Sequence, residues 1–166
     1  MKALTFILIL FVTSSFSQTP DSQIGNDSLN TKLLDELIIK EINNERIKAR
    51  SKVLTYNKSI ADRAHKHVEW MILEDTFAHS HTGSEIIEIN YFSDKVTYSD
   101  LAKDIIKVWM NSPGHRDILL SSGPNANIGV HAGVFSKEDT SKKYLYRDKN
   151  TPSTVYKIKA TANFYF

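Results

Sequence analysis

The chain of 166 residues contains no cysteine. It can therefore form no disulfide, use no thiol as a nucleophile and carry no lipid through a cysteine, so its stability must come from a packed core. An excess of charge of one sign is missing as well. The 21 Lys and Arg stand against 19 Asp and Glu, which leaves no basic footprint for nucleic acid. The apolar run Ala3–Val12 falls short of the about 20 residues that a membrane-spanning helix needs, so the sequence does not read as an integral membrane protein. No internal repeat is present. Neither a His-Glu-x-x-His helix nor a Gly-x-Ser-x-Gly elbow occurs, so the dedicated spacings of zinc peptidases and serine hydrolases are absent.

What is present begins with an export pattern. Lys2 precedes the apolar run, and the small polar residues Thr13, Ser14, Ser15 and Ser17 follow it, which is the layout of a secretory signal peptide. Ser15 and Ser17 bracket Phe16 as a small-x-small cleavage site. The expected organisation is a signal peptide over 1–17, a flexible polar leader over 18–30, and one domain over 31–166 with room for a sizeable core. The mature protein is expected to be secreted or periplasmic and monomeric.

Three segments carry the helical period. Leu34, Leu37, Ile38 and Ile42 fall on one face of a helix opening near Asn30 or Thr31. Asn57 is an N-cap for a second helix carrying Ile60, Ala64, Val68 and Met71. Thr97 and Asp100 form a capping box for a third, on which Leu101, Ile105 and Val108 are spaced for one buried face. The period then falls to 2. Ile128, Val130, Ala132 and Val134 alternate with Gly129, His131 and Gly133, and the even positions from Tyr156 to Phe166 alternate with Lys157, Lys159, Thr161, Asn163 and Tyr165. Both read as half-buried strands. A weaker strand spans Ser84 to Tyr91, with Glu85, Ile87, Ile89 and Tyr91 sharing a face. Ser136 to Ser153, rich in Lys, Asp, Ser and Thr, reads as a solvated loop or long hairpin. Helices first and antiparallel strands late make an α+β layered domain.

The most specific segment is Trp109-Met110-Asn111-Ser112-Pro113-Gly114-His115-Arg116-Asp117-Ile118-Leu119. It resembles the corner of bacterial members of the CAP superfamily (cysteine-rich secretory, antigen five and pathogenesis-related proteins), where a helix Trp is followed by Ser-Pro-Gly-His-Arg and an Ile-Leu pair. Further matches come in the same order: Asn43 and Arg46, Leu54, Ala64 and Met71, Phe77-Ala78-His79, Ile128-Gly129-Val130, and the closing Thr161 to Phe164. Two departures stand out. The family's Gly-Glu-Asn-Ile is Ser84-Glu85-Ile86-Ile87 here, with Glu88 close enough to compete for the acidic role. Ser112 stands where animal members place a second Glu.

The resemblance implies a three-layer α-β-α sandwich with a central, mainly antiparallel sheet and an open cavity lined by His79, Glu85, Ser112 and His115. Some members hold a divalent metal on such histidines, and zinc on His79 and His115 is the expected ion. Local physics agrees for His115. Ser112 as N-cap and Pro113 as first helical residue place it in the first turn of a short helix, whose dipole disfavours imidazolium and keeps a lone pair available. The alternative is a purely structural corner. His81 could take the place of His79, His131 reads as a solvent-facing or satisfied strand residue, and His65 and His67 read as surface residues.

Three functions fit this pattern. The first is a non-catalytic binding module whose cavity holds a divalent metal or a small hydrophobic, lipid or cell-envelope ligand. The second is an interaction domain with a relic cavity. The third is a metal-assisted hydrolase with Glu85 as general base.

Overall fold

Polar caps start the first three helices of the computed structural model, which describes residues 18–24, 29–80, 83–93, 96–123, 126–138 and 155–165. Asn30 accepts a hydrogen bond from the Leu33 N–H to open α1 (Thr31–Lys48), and Asn57 accepts one from Ile60 to open α2 (Lys58–Leu73). At α3 (Tyr98–Asn111), Thr97 Oγ1 accepts from the Asp100 N–H and donates to the Asp100 carboxylate. The short α4 (Pro113–Leu120) follows at once, with Pro113 in its first turn. The expected signal segment 1–17, residues 139–153 of the expected loop or hairpin, and His81 lie outside the described residues.

The strands β1 (Thr55–Tyr56), β2 (Ser84–Ser93), β3 (Asn127–Glu138) and β4 (Val155–Tyr165) form one mixed sheet in the order β1-β3-β4-β2. β1 pairs with β3 in parallel, and the other two pairings are antiparallel. Glu138 faces Val155 across the β3–β4 hairpin, so β3 runs on into the segment whose composition predicts loop from Ser136.

The sheet is covered on both faces. Ile86, Ile128, Val130, Ala132, Ile158, Ala160 and Ala162 point into the main core with Leu34, Ile38 and Ile42 of α1 and Leu101, Ile105 and Trp109 of α3. On the other side α2 lays Val68 and Met71 against Ile87. The architecture is thus an α+β sandwich of helices, mixed sheet and helix.

Four expectations change in the structure. The polar positions of the late strands are not solvated: Lys159, Thr161 and Asn163 are all buried, because α2 closes over them. That closure depends on Gly129, where an added Cβ would sit 2.0 Å from the Ala61 backbone nitrogen of α2. Val108 is exposed, and Tyr98, Ala102, Ile106 and Trp109 complete the buried face of α3 instead. The leader, expected to be loose, docks in its described part. Ile24 is buried, Gln23 bridges to Thr97, and the Tyr98 hydroxyl donates to Gln18 and accepts from the Asn30 N–H. The fourth change concerns His67 and belongs to the site.

Two matched residues of α1 have structural duties. Asn43 closes a two-way hydrogen bond with the backbone of Leu54, at 3.1 and 2.8 Å. Arg46, fully buried, donates to the carbonyls of Lys52, Leu119 and Ser121 and so ties the end of α1 to the end of α4.

Candidate functional site

The site gathers where α2 ends, β2 begins and α4 starts. Glu85, on the α2 face of β2, is its buried acid, with a side chain 2% exposed. Its Oε1 accepts the Ser80 N–H at 2.7 Å and lies 3.1 Å from His79 Nδ1. Its Oε2 accepts the Ser80 hydroxyl and lies 2.9 Å from His67 Nδ1. The last contact is a close approach of charge-bearing atoms rather than an aligned hydrogen bond, since His67 Nδ1 has no partner of hydrogen-bonding geometry. The opposite nitrogen of His67 is 2.9 Å from the Ala78 carbonyl. A carboxylate with this many donors is held in place.

The strand period separates Glu85 from Glu88. Residues three apart on a strand point to opposite faces, so Glu88 turns away from the His79 turn. It pairs with no side chain there, and burial pushes its carboxyl up to about 7.

His79 is half exposed, and its Nδ1 faces Glu85. His115 stands in the first turn of α4 with its Nδ1 buried and without a hydrogen-bond partner. Its proton affinity is lowered, first by burial and then by electrostatic repulsion from His79. Ser112 occupies the N-cap position of α4, but its side chain makes no cap hydrogen bond. Its N–H instead reaches the Trp109 carbonyl and its own carbonyl accepts from Arg116, so it joins α3 to α4 through the backbone.

His67, expected on the surface, is buried, at 8% exposure. The signal lies in the sequence. Ile60, Ala64, Val68 and Met71 define a face of α2, and position 67 falls on it at the i+3 step from Ala64. Ser80, which supplies Glu85 with two hydrogen bonds, escapes the sequence reading, because nothing there links it to an acid beyond a tight turn. Trp70 stacks on His67 with ring centroids 5.6 Å apart and remains 43% exposed, and Phe77 is exposed as well. His131 is a satisfied strand residue, bonded to Asp35 and His65.

A three-layer sandwich with His67, His79 and Glu85 gathered between the second helix and the long strand that follows it is the layout of a CAP domain. The chain matches the model of the cysteine-rich secretory protein family, CAP, over residues 39–146, more than half its length, and belongs to that family. Among solved structures, an outer surface protein from Borrelia burgdorferi is similar at 14% identity and a TM-score of 0.47, covering 82% of this chain and 97% of that one. An extracellular protein containing an SCP domain from Bacillus anthracis is similar at 18% identity and a TM-score of 0.45, covering 80% of this chain and 41% of that one. No curated protein matches the sequence. No helix among the described residues is long and apolar enough to cross a membrane.

Proposed function

We propose that this CAP domain acts outside the cytoplasm as a non-catalytic binding module, with His79 and His115 holding a divalent cation, zinc first, at the mouth of the site. The observation that carries the reading is the buried Nδ1 of His115, which has no hydrogen-bond partner. A buried polar atom without a partner costs about 1–3 kcal/mol, and an ion would relieve that cost. The donor chemistry fits. Glu85 sits behind His79 Nδ1 as the oriented carboxylate that metal-binding histidines commonly carry, which leaves His79 Nε2 for the ion. With two protein ligands the ion would keep open positions for a ligand atom. When bound it would supply a Lewis-acidic anchor for an anionic or carbonyl group. The exposed rings of Trp70 and Phe77 would take an apolar portion of the same small lipid-like or envelope molecule.

A binding role is preferred over hydrolysis because of Glu85. A general base needs a lone pair aimed at water, and both oxygens of Glu85 are already engaged by Ser80, His67 and His79.

The test is calorimetric titration of the mature protein, purified without chelator, with zinc. One equivalent that disappears in His115→Ala and in His79→Ala is the expected result. Because burial and His79 depress proton uptake by His115, its affinity should persist somewhat below pH 6.5 before falling. Zinc uptake indifferent to both substitutions rejects the metal site.

A further inference from the structure

At the far side of α2, His65 and His131 form a second imidazole pair that the CAP site does not use. His131 lies on β3 beyond the point where the two-residue β1 stops, so the strand edge there is open to α1. Asp35 of α1 fills that edge: its Oδ1 accepts the Ala132 N–H at 2.9 Å and its Oδ2 accepts from His131 Nδ1 at 3.0 Å. His65 Nε2 lies 3.1 Å from Glu69 one turn along α2. The inner nitrogens, His131 Nε2 and His65 Nδ1, face each other at 3.0 Å. They line a cleft of about 480 Å³ together with Tyr56, Asp62 and Ile39.

The tautomers follow from the partners. A carboxylate only accepts, so the outer nitrogen of His131 carries the proton it gives to Asp35, whereas the outer nitrogen of His65 only approaches Glu69 without an aligned hydrogen bond. His131 Nε2 is therefore a lone pair, and in the neutral pair the His65 Nδ1 proton lies between the two rings. A metal ion can take the place of that proton, because His65 can carry its own on the outer nitrogen instead, toward Glu69. Each ring then has a carboxylate beside its outer nitrogen, as metal-ligating histidines commonly do.

We propose that His65 and His131 form a second cation site, for a borderline divalent transition ion such as copper(II) or zinc, with its remaining positions open to the cleft. Imidazole donors suit these ions, and metal–nitrogen bonds of about 2.0–2.1 Å need the rings to open by only a few tenths of an ångström from their present separation. Asp35 would act as a positioning residue, touching His131 and not the ion.

The experiment uses the mature chain carrying both His79→Ala and His115→Ala, titrated with copper(II) or zinc alone and followed by calorimetry and, for copper, electron paramagnetic resonance. One equivalent with two-nitrogen coordination is expected, lost in His65→Gln. Asp35→Asn should weaken binding about 10- to 100-fold, as loss of an outer-shell partner does, while far-UV circular dichroism shows the fold retained. A surface site made by His65 and Glu69 alone would ignore Asp35→Asn, and that outcome overturns the proposal. So does a chain that takes up no His65-dependent ion, in which case a shared proton joins the rings. His65 is half exposed, so its substitution tests the site even if a change at His131 prevents folding.

Discussion

Glu88 shows how one half-buried acid can set a local pH dependence. Its carboxyl is raised to about 7 by desolvation, so between about pH 4.5 and 7 the folded chain holds a proton that the unfolded chain has released. The stability this group contributes is then fully present below about 4.5 and is lost as pH rises through 7. Glu88→Gln should therefore melt at a higher temperature than the parent at pH 8, with the difference shrinking at pH 4.5. Equal differences at both pH values would show that the side chain is solvated. His115 has the opposite sign. Its lowered proton affinity means that the unfolded state binds more protons near pH 6.5, so this residue favours folding as pH rises. The histidines also show where the sequence is legible. The pattern around Ser112-Pro113-Gly114-His115 puts His115 at a helix start, as found. His67 is readable from the α2 period, but its two-residue spacing from His65 reads as two divergent surface directions. The two rings do diverge, and each direction leads to its own acid, Glu85 for His67 and Asp35, through His131, for His65.

At the scale of elements, caps and periods locate α1, α2 and α3 to within a residue of their starts, since Asn30, Asn57 and Thr97 each satisfy an otherwise unpaired N–H. The two-residue β1 is illegible because its pairing with β3 is long-range and carries no period. The strand alternation reveals the register and misassigns the second face, because a Lys, Thr and Asn row reads as solvated. Lys159 instead gives its ammonium to the carbonyls of Met71 and Thr76 at the end of α2, where cations suit the helix dipole. Gly129 is the condition for that packing. Gly129→Ala should cost more than the about 1–3 kcal/mol of ordinary overpacking, because backbone rather than a flexible side chain blocks the new methyl. Chemical denaturation measures it, and a change within about 0.5 kcal/mol, the range of surface substitutions, would show that α2 does not rest on β3 there.

For the whole molecule, the absence of cysteine leaves the two-sided sheet as the binding framework of the fold. Its two middle strands are β3 and β4, and β4 pairs along both of its edges. A fragment ending at Glu138 keeps all four described helices and lacks that strand. It should show no cooperative thermal transition, and a sharp melt from it would mean that the helices hold together without the sheet's centre. The order of synthesis gives the arrangement a further meaning. While the ribosome is still making residues before Val155, β2 and β3 have nothing to join them, so the nascent chain cannot close its core and must wait, unfolded, until the stretch through Tyr165 has emerged. Folding is thereby tied to the emergence of β4, a delay built into the strand order itself.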